Sequence, residues 1–275
     1  MKLNTMNKTF DLNGKIALVT GGGGVLGGNM AQALAQNGAI VGVMGRTPEK
    51  LDQMVATIQA NGGQAFAIVT DVVNESDLEK AKQHIVTTYG KLDILINAAG
   101  GNMPGATIMP DQDFFNAKQE DLQKVLDLNV MGTMLPSKVF AELFAKQKNG
   151  VIINISSAAA DRPLTRVVGY SASKAAIDNF TRWMAVEMAT KYGEGIRVNA
   201  IAPGFFIGEQ NKALLLAPDG SLTSRGETII SKTPMGRFGN PEDLDGTLIW
   251  LCSEASKFVT GIVVHVDGGF GAKSI

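Results

Sequence analysis

The sequence predicts an α/β protein built on one parallel, doubly wound sheet of about seven strands, with helices on both faces. Two observations carry this reading. Short aliphatic and β-branched runs alternate with longer helical patterns along the chain, and those runs are apolar almost end to end, as strands covered on both faces are. Near the start, a strand, a glycine cluster and a helix follow one another without a break. Right-handed β-α-β crossovers then dictate a parallel sheet.

The strands are expected at 15–20 (KIALVT), 40–45 (IVGVMG), 65–70 (AFAIVT), 92–97 (LDILIN), 150–156 (GVIINIS), 196–202 (IRVNAIA) and 262–267 (IVVHVD). Helices are expected near 26–37, 48–61, 75–89, 119–147, 170–192 and 241–253. Thr47-Pro48-Glu49 supplies an N-cap, a first-turn proline and an acid, and Asn240-Pro241-Glu242-Asp243 repeats that logic. The long departure is 204–240, rich in polar residues, Gly and Pro, which reads as a substrate loop or lid. Within it, Leu214, Leu215 and Leu216 are expected to pack as a lid helix.

A chain of 275 residues with 45% apolar and 19% charged residues is compatible with one large domain, expected over 10–275 behind a short N-terminal tail at 1–9. The tail lacks the apolar region and cleavage site of an export signal, so a cytoplasmic protein is expected. A net charge of −1 gives no electrostatic footprint for nucleic acid or an anionic membrane. Ile16 to Gly45 holds no charged residue, yet Gly21 to Gly24 and four amide side chains make it a buried strand, turn and helix rather than a membrane span. With Cys252 the one cysteine and His84 and His265 the two histidines, no disulfide or Cys/His metal site can be assembled, and no metal is expected. Cys252 reads as a small buried hydrophobe.

In TGGGGVLGG at 20–28, Gly22, Gly24 and Gly27 satisfy G-x-G-x-x-G between a strand and a helix. Glycines there allow a tight turn and close approach of a pyrophosphate to the positive end of a helix. No Gly-Lys-Ser/Thr follows, which excludes a nucleoside triphosphate loop. The second strand ends in Gly45-Arg46, where a ribose-binding acid would be usual. A guanidinium suits a 2′-phosphate, so NADP is favoured, with NAD as the alternative. Asp71, after the third strand, and Asn97-Ala98-Ala99-Gly100, after the fourth, lie at carboxyl ends of strands, where open parallel sheets bind ligands.

Tyr170 and Lys174 in YSASK share one helix face. An ammonium beside a phenol favours the phenolate, so the pair can form a general acid/base. Ser157 ends the strand GVIINISS, and Asn129 sits in LDLNVMG, inside a helical stretch for which asparagine is poorly suited.

Taken together, TGGGGVLG, NAAG at 97–100, Asn129, Ser157, YSASK, APG at 202–204 and VDGG at 266–269 resemble the short-chain dehydrogenases/reductases over residues 10–271. The resemblance implies a Rossmann-type sheet, a homotetramer and the catalytic set Asn129, Ser157, Tyr170 and Lys174. Ser157 would hold the substrate oxygen and Tyr170 transfer the proton. Lys174 would tune Tyr170 and bind the nicotinamide ribose, and Asn129 would hold a water linking Lys174 to solvent. The implied cofactor contacts are Gly21, Gly23, Gly24, Val25, Leu26, Gly27, Arg46, Asp71, Val72, Asn97, Ala98, Ala99, Gly100, Tyr170, Lys174, Pro203, Gly204 and Phe206. Val25 and Gly208 depart from the family pattern, which has glycine and often threonine there.

Within the family, GGGGVLGG, NAAGGN, NAIAPGFF, QNKALLLAPDGS and KTPMGRFGNPEDL are similar to the branch of D-mannonate oxidoreductases, or fructuronate reductases. That implies carbohydrate metabolism and hydride transfer between NAD(P)H and the ketone of a hexuronate. A sugar-acid site needs a cation and several hydrogen-bonding groups. Asn102, Arg162, Arg166, Gln210, Asn211, Lys212, Ser224 and Arg225 could supply them. The alternatives are another carbonyl substrate, such as a 3-oxoacyl thioester or a neutral polyol, or a dinucleotide-binding protein without turnover.

Overall fold

The structure, a computed structural model, describes residues 9–162, 164–208 and 211–273. Its strands are β1 (Ile16–Thr20), β2 (Ile40–Gly45), β3 (Gln64–Val69), β4 (Ile94–Asn97), β5 (Gly150–Ile155), β6 (Ile196–Pro203) and β7 (Val263–Val266). They form one seven-stranded sheet in the order β3-β2-β1-β4-β5-β6-β7, parallel throughout. The expected α/β sheet is therefore present, and its chain order reverses between β1 and β4.

Helices α1 (Val25–Gln36), α2 (Pro48–Ala60) and α9 (Asp245–Cys252) cover one face. Helices α3 (Glu75–Tyr89), α5 (Gly132–Gln147) and α6 (Val168–Tyr192) cover the other. Met30, Leu34, Leu51, Ile58, Leu248 and Cys252 fill the first layer. Leu78, Ile85, Phe140, Phe144 and Met184 fill the second. Burial pushes the Cys252 thiol up to about 12, which fits its expected role as an inert hydrophobe.

Two expected helices are each divided. The stretch 119–147 comprises α4 (Gln119–Leu126), a π-helical turn at Asp127–Met131, and α5. Asn129 lies in that turn, its amide donating to the Val125 carbonyl at 2.8 Å, so the widened turn accommodates a side chain that competes for backbone partners. The stretch 241–253 opens with a 3-10 turn at Pro241–Leu244 before α9. Segment 204–240 carries two short helices, α7 (Lys212–Leu215) and α8 (Ser224–Lys232). Leu215 is buried there while Leu214 is exposed.

A polar chain crosses the second layer. Asn97 Nδ2 donates to Ser137 Oγ and to Asn154 Oδ1, both at 2.8 Å. Asn154 Nδ2 donates to Thr181 Oγ1 at 2.9 Å. Asn97 and Asn154 face each other in the β4–β5 register, and all four side chains are buried.

The turn after β1 is pressed against the turn after β4. Gly21 has φ +66°, and a Cβ built on it would sit 2.9 Å from the Cα and N of Ala99. Gly21→Ala is expected to destabilise the fold by about 1–3 kcal/mol, combining left-handed strain with a backbone clash. Gly24, at φ −92°, has only the Gly21 carbonyl, at 3.3 Å, within contact of a Cβ, so Gly24→Ala should cost much less. Urea midpoints of the two variants test this; equal midpoints would contradict the assigned constraint.

Candidate active site

The chain order reverses between β1 and β4, and beyond the carboxyl ends of strands at such a reversal open parallel sheets bind their ligands in a crevice. Thr20, fully buried, accepts hydrogen bonds through Oγ1 from the N–H groups of Ala98 and Ala99, at 3.1 and 3.0 Å. The Gly22 N–H donates to the Met44 carbonyl at 3.0 Å, which ties the glycine turn to β2 as well. Gly24 is the extended N-cap of α1, with no side-chain cap and no acid in the first turn. The N-terminal N–H groups therefore keep their affinity for an anion. Val25, where the family pattern has glycine, is the first residue of α1, and its side chain is exposed.

This chemistry fits a dinucleotide. The glycine cradle leaves no room for side chains at Gly21 and Gly22, and the bare helix end suits a pyrophosphate. Arg46 is exposed beyond β2 and makes no hydrogen bond or ion pair with another described residue. Asp71 is half-buried after β3 and accepts from the Val73 N–H at 3.2 Å, with Val72 buried against Gly132. Asn97 has its side chain in the polar chain beneath the sheet, so it braces the adjoining turn instead of facing the crevice. Pro203 accepts from the Ala158 N–H at 2.9 Å, Gly204 donates to the Val266 carbonyl at 3.0 Å, and the Phe206 ring is buried in the first core layer.

The predicted acid/base group converges on the ends of β4 and β5. Lys174 is buried and donates through Nζ to the Ile155 carbonyl at 2.6 Å, with Nζ 5.5 Å from the centre of the Tyr170 ring. A Cβ at Gly100 would approach Asn129 Oδ1 to 2.8 Å and Lys174 Nζ to 3.4 Å, so this glycine keeps the approach to the ammonium clear. Asn129 Oδ1 accepts from the Gly101 N–H at 3.0 Å, and its Nδ2 donates to the Gly101 carbonyl at 2.8 Å. With its donors also serving Val125, the amide retains only acceptor capacity for a further partner.

Burial raises the Tyr170 phenol above its ordinary value, opposed by a hydrogen bond with Ser157. Burial lowers Lys174 from 10.5 to about 8, opposed by the Asp178 carboxylate one helical turn further on. Asp178 is itself raised by burial, against the nearby Ser156 hydroxyl. The group thus offers a protonated phenol, a hydroxyl donor and a cation confined near the ring.

The polar residues proposed for substrate disperse. Asn102 donates to Thr107 Oγ1 at 2.7 Å, leaving its Oδ1 buried without a partner. Arg162 is exposed and donates to the Gly271 carbonyl. Asn211 bonds both the Gly208 N–H and the Phe206 carbonyl at 2.8 Å, which makes it a staple of its own loop. Lys212 and Ser224 are exposed, and Gln210 lies outside the described residues. Arg166 and Arg225 are half-buried, and Arg225 donates to the hydroxyl of Thr165, next to Arg166, at 3.3 Å. Sequence reasoning did not single out Thr20, Ile155 or Asp178. Asp178 extends the Tyr170–Lys174 spacing by one further turn, a signal that was available; the Ile155 contact is through backbone and left none.

A family model described as short chain dehydrogenase matches residues 15–215. A Bacillus subtilis (strain 168) protein named uncharacterized oxidoreductase UxuB is 48% identical over 273 residues, covering 96% of this chain and 97% of that one. A crystal structure with bound NAD, of a Haemophilus influenzae protein given provisionally as a D-mannonate oxidoreductase, is 41% identical with a TM-score of 0.89, covering 98% of this chain and 99% of that one. A gluconate 5-dehydrogenase from Burkholderia cenocepacia, solved with NADP and tartrate, is 30% identical with a TM-score of 0.86, covering 98% of this chain and all (100%) of that one. A Synechocystis 3-oxoacyl-[acyl-carrier-protein] reductase is 35% identical over 260 residues, covering 94% of this chain and 97% of that one. With a family model spanning most of its length and relatives matching nearly end to end, this chain belongs to the short-chain dehydrogenase/reductase family of NAD(P)-linked oxidoreductases.

Proposed function

We propose that this protein interconverts the ketone and secondary alcohol of a sugar acid of the D-fructuronate/D-mannonate type, with NADP(H) as the preferred cofactor. The observation that carries the chemistry is the convergence of Ser157, Tyr170 and Lys174 beside Gly100, where a side chain would crowd Asn129 and the ammonium. The nicotinamide cofactor, when bound, supplies or accepts the hydride. Gly21 to Gly27 and the start of α1 would hold its pyrophosphate, and Arg46 its 2′-phosphate.

In the reductive direction the Ser157 hydroxyl donates a hydrogen bond to the substrate oxygen. Tyr170 gives that oxygen its proton as the C–H bond forms, so ketone plus hydride plus proton becomes alcohol. The raised phenol value keeps that proton in place at neutral pH, and the Lys174 ammonium stabilises the phenolate left behind. The half-buried guanidinium groups of Arg166 and Arg225 support a carboxylate-bearing substrate. A 3-oxoacyl thioester is the second reading, favoured by the Synechocystis relative.

The homotetramer implied by family resemblance is supported by apolar side chains left at the surface. Trp183 and Val186 on α6 are 60% and 68% exposed, and Phe258 is fully (100%) exposed. The described residues contain no helix long and apolar enough to cross a membrane.

Steady-state assays with fructuronate, other keto sugar acids, 3-oxoacyl thioesters and neutral ketoses, each with NADPH and NADH, test substrate and cofactor together. Lower KM for NADPH and turnover of the hexuronate are expected; preference for a thioester, or for NADH, would overturn the corresponding half. Sedimentation equilibrium should give four times 29.0 kDa, and a monomer would contradict the tetramer.

Tyr170→Phe should lower turnover roughly 10²-fold or more while leaving cofactor affinity nearly unchanged. Lys174→Met separates catalysis from stability. A lysine at about 8 in the folded chain and 10.5 when unfolded disfavours the fold at pH 7 by about 3 kcal/mol, a penalty that fades as pH climbs from about 8 to 10.5. The methionine variant should therefore lose turnover yet melt no lower than the parent at pH 7, with its relative advantage shrinking at high pH. A large drop in melting temperature at pH 7 would contradict this account.

A further inference from the structure

Arg166 has φ +77°. Lys148, the other described non-glycine residue with positive φ, terminates α5, where a left-handed residue is routine. Arg166 ends no helix: it lies two residues before α6, and its carbonyl is pinned by the Ile108 N–H at 2.9 Å. Backbone strain without a capping reason, beside a reacting centre, is characteristic of ligand clamps.

Arg225, in the first turn of α8, donates through Nη1 to Thr165 Oγ1 at 3.3 Å, which brings it to the residue that precedes Arg166. Burial, and then the charge of Arg166, disfavours the Arg225 cation, and among the described residues no carboxylate pairs with either arginine. Arg237, by contrast, grips Asp243 through both terminal nitrogens, at 2.6 and 2.9 Å. Two half-buried like charges that repel one another and lack a counter-ion are suited to an anion from outside the chain. Arg166 stands four residues before Tyr170 and nine after Ser157, on the segment joining them. An anion held there is bound to the segment that carries both catalytic hydroxyls.

We propose that Arg166 and Arg225 form a two-armed clamp for the substrate carboxylate, and that this carboxylate secures α8 against the segment that joins Ser157 to Tyr170. The first arm lies on the loop before α6, its carbonyl bonded by the Ile108 N–H; the second rides on α8. Without an anion, the Thr165 hydroxyl is the partner that Arg225 finds beside Arg166, and like charge opposes a closer approach. With one, each arm gains a charge-assisted hydrogen bond, and α8 is secured only over substrates carrying the charge. The clamp rests on the sugar-acid reading for the identity of its ligand, but not for its geometry.

The test uses the protein saturated with NADPH, which cannot oxidise an alcohol, titrated with D-mannonate and with D-mannitol, its uncharged counterpart. Calorimetry should show mannonate bound at least about 10-fold more tightly than mannitol. Arg166→Gln and Arg225→Gln should each reduce mannonate affinity by about 10-fold or more, raise KM far more than they lower kcat, and leave NADPH binding unchanged. Mannonate should slow proteolysis within 204–240 in the parent but not in either variant. Unchanged mannonate affinity in both variants, or a parent that binds mannitol equally well, overturns the clamp. Hexuronate turnover that survives both substitutions sinks the clamp while sparing the sugar-acid reading. Absence of hexuronate turnover, with other hydroxycarboxylates bound in an arginine-dependent way, does the reverse.

Discussion

A lysine ammonium held inside the protein is the constraint around which this site is arranged. Lys174 donates to the Ile155 carbonyl at 2.6 Å, and that contact couples the end of β5 to the second turn of α6. A buried cation needs a close acceptor and a compensating charge, and here the acceptor is backbone while the compensation is Asp178, one turn along. The remaining parts accommodate the ammonium in turn. Gly100 omits a side chain that would crowd it, and Asn129 holds the Gly101 peptide from both sides. The π-helical turn places Asn129 to do so.

The same architecture separates what is rigid from what is adjustable. Thr20, Gly21 and Ala99 lock the β1 and β4 turns together through a hydroxyl, a left-handed glycine and a backbone contact. Segment 204–240, in contrast, is stapled largely to itself through Asn211, Thr223 and short helices, with Arg225 reaching across to Thr165. A family that retains its reaction while changing substrate suits this division: fixed proton chemistry on strand ends, and recognition on a segment outside the sheet.

Much of this was legible in the sequence because parallel strands covered on both sides announce themselves as continuous apolar runs. Six of the seven observed strands begin within one residue of expectation; β4 begins at Ile94, although the Asp93 backbone already bonds the Ile16 carbonyl and the Val151 N–H. The Tyr170–Lys174 pair was readable because helical spacing is a local property. What composition and spacing could not convey depended on distant backbone or on side chains turning inward. Nothing local indicates that Asn97 points beneath the sheet, that Arg162 reaches the Gly271 carbonyl, or that Thr20 serves two peptides from another strand. The interruption at Asn129 was foreshadowed by its poor helix propensity, but a π turn and a simple bend read alike in one dimension.

The polar chain from Ser137 through Asn97 and Asn154 to Thr181 has a consequence for how the sheet assembles. Each amide finds its partner only when β4 and β5 pair with Asn97 opposite Asn154. Sliding one strand by a single residue would turn these groups to the opposite face and strand several buried dipoles in a dry layer. Aliphatic neighbours such as Ile94, Leu95, Ile152 and Ile153 are nearly interchangeable and offer little discrimination between alignments. The amides therefore act as an addressing code within an otherwise degenerate core. By fixing one alignment, they let the surrounding hydrophobic residues drift in identity without the two strand ends, and the serine and glycines that follow them, losing their mutual alignment.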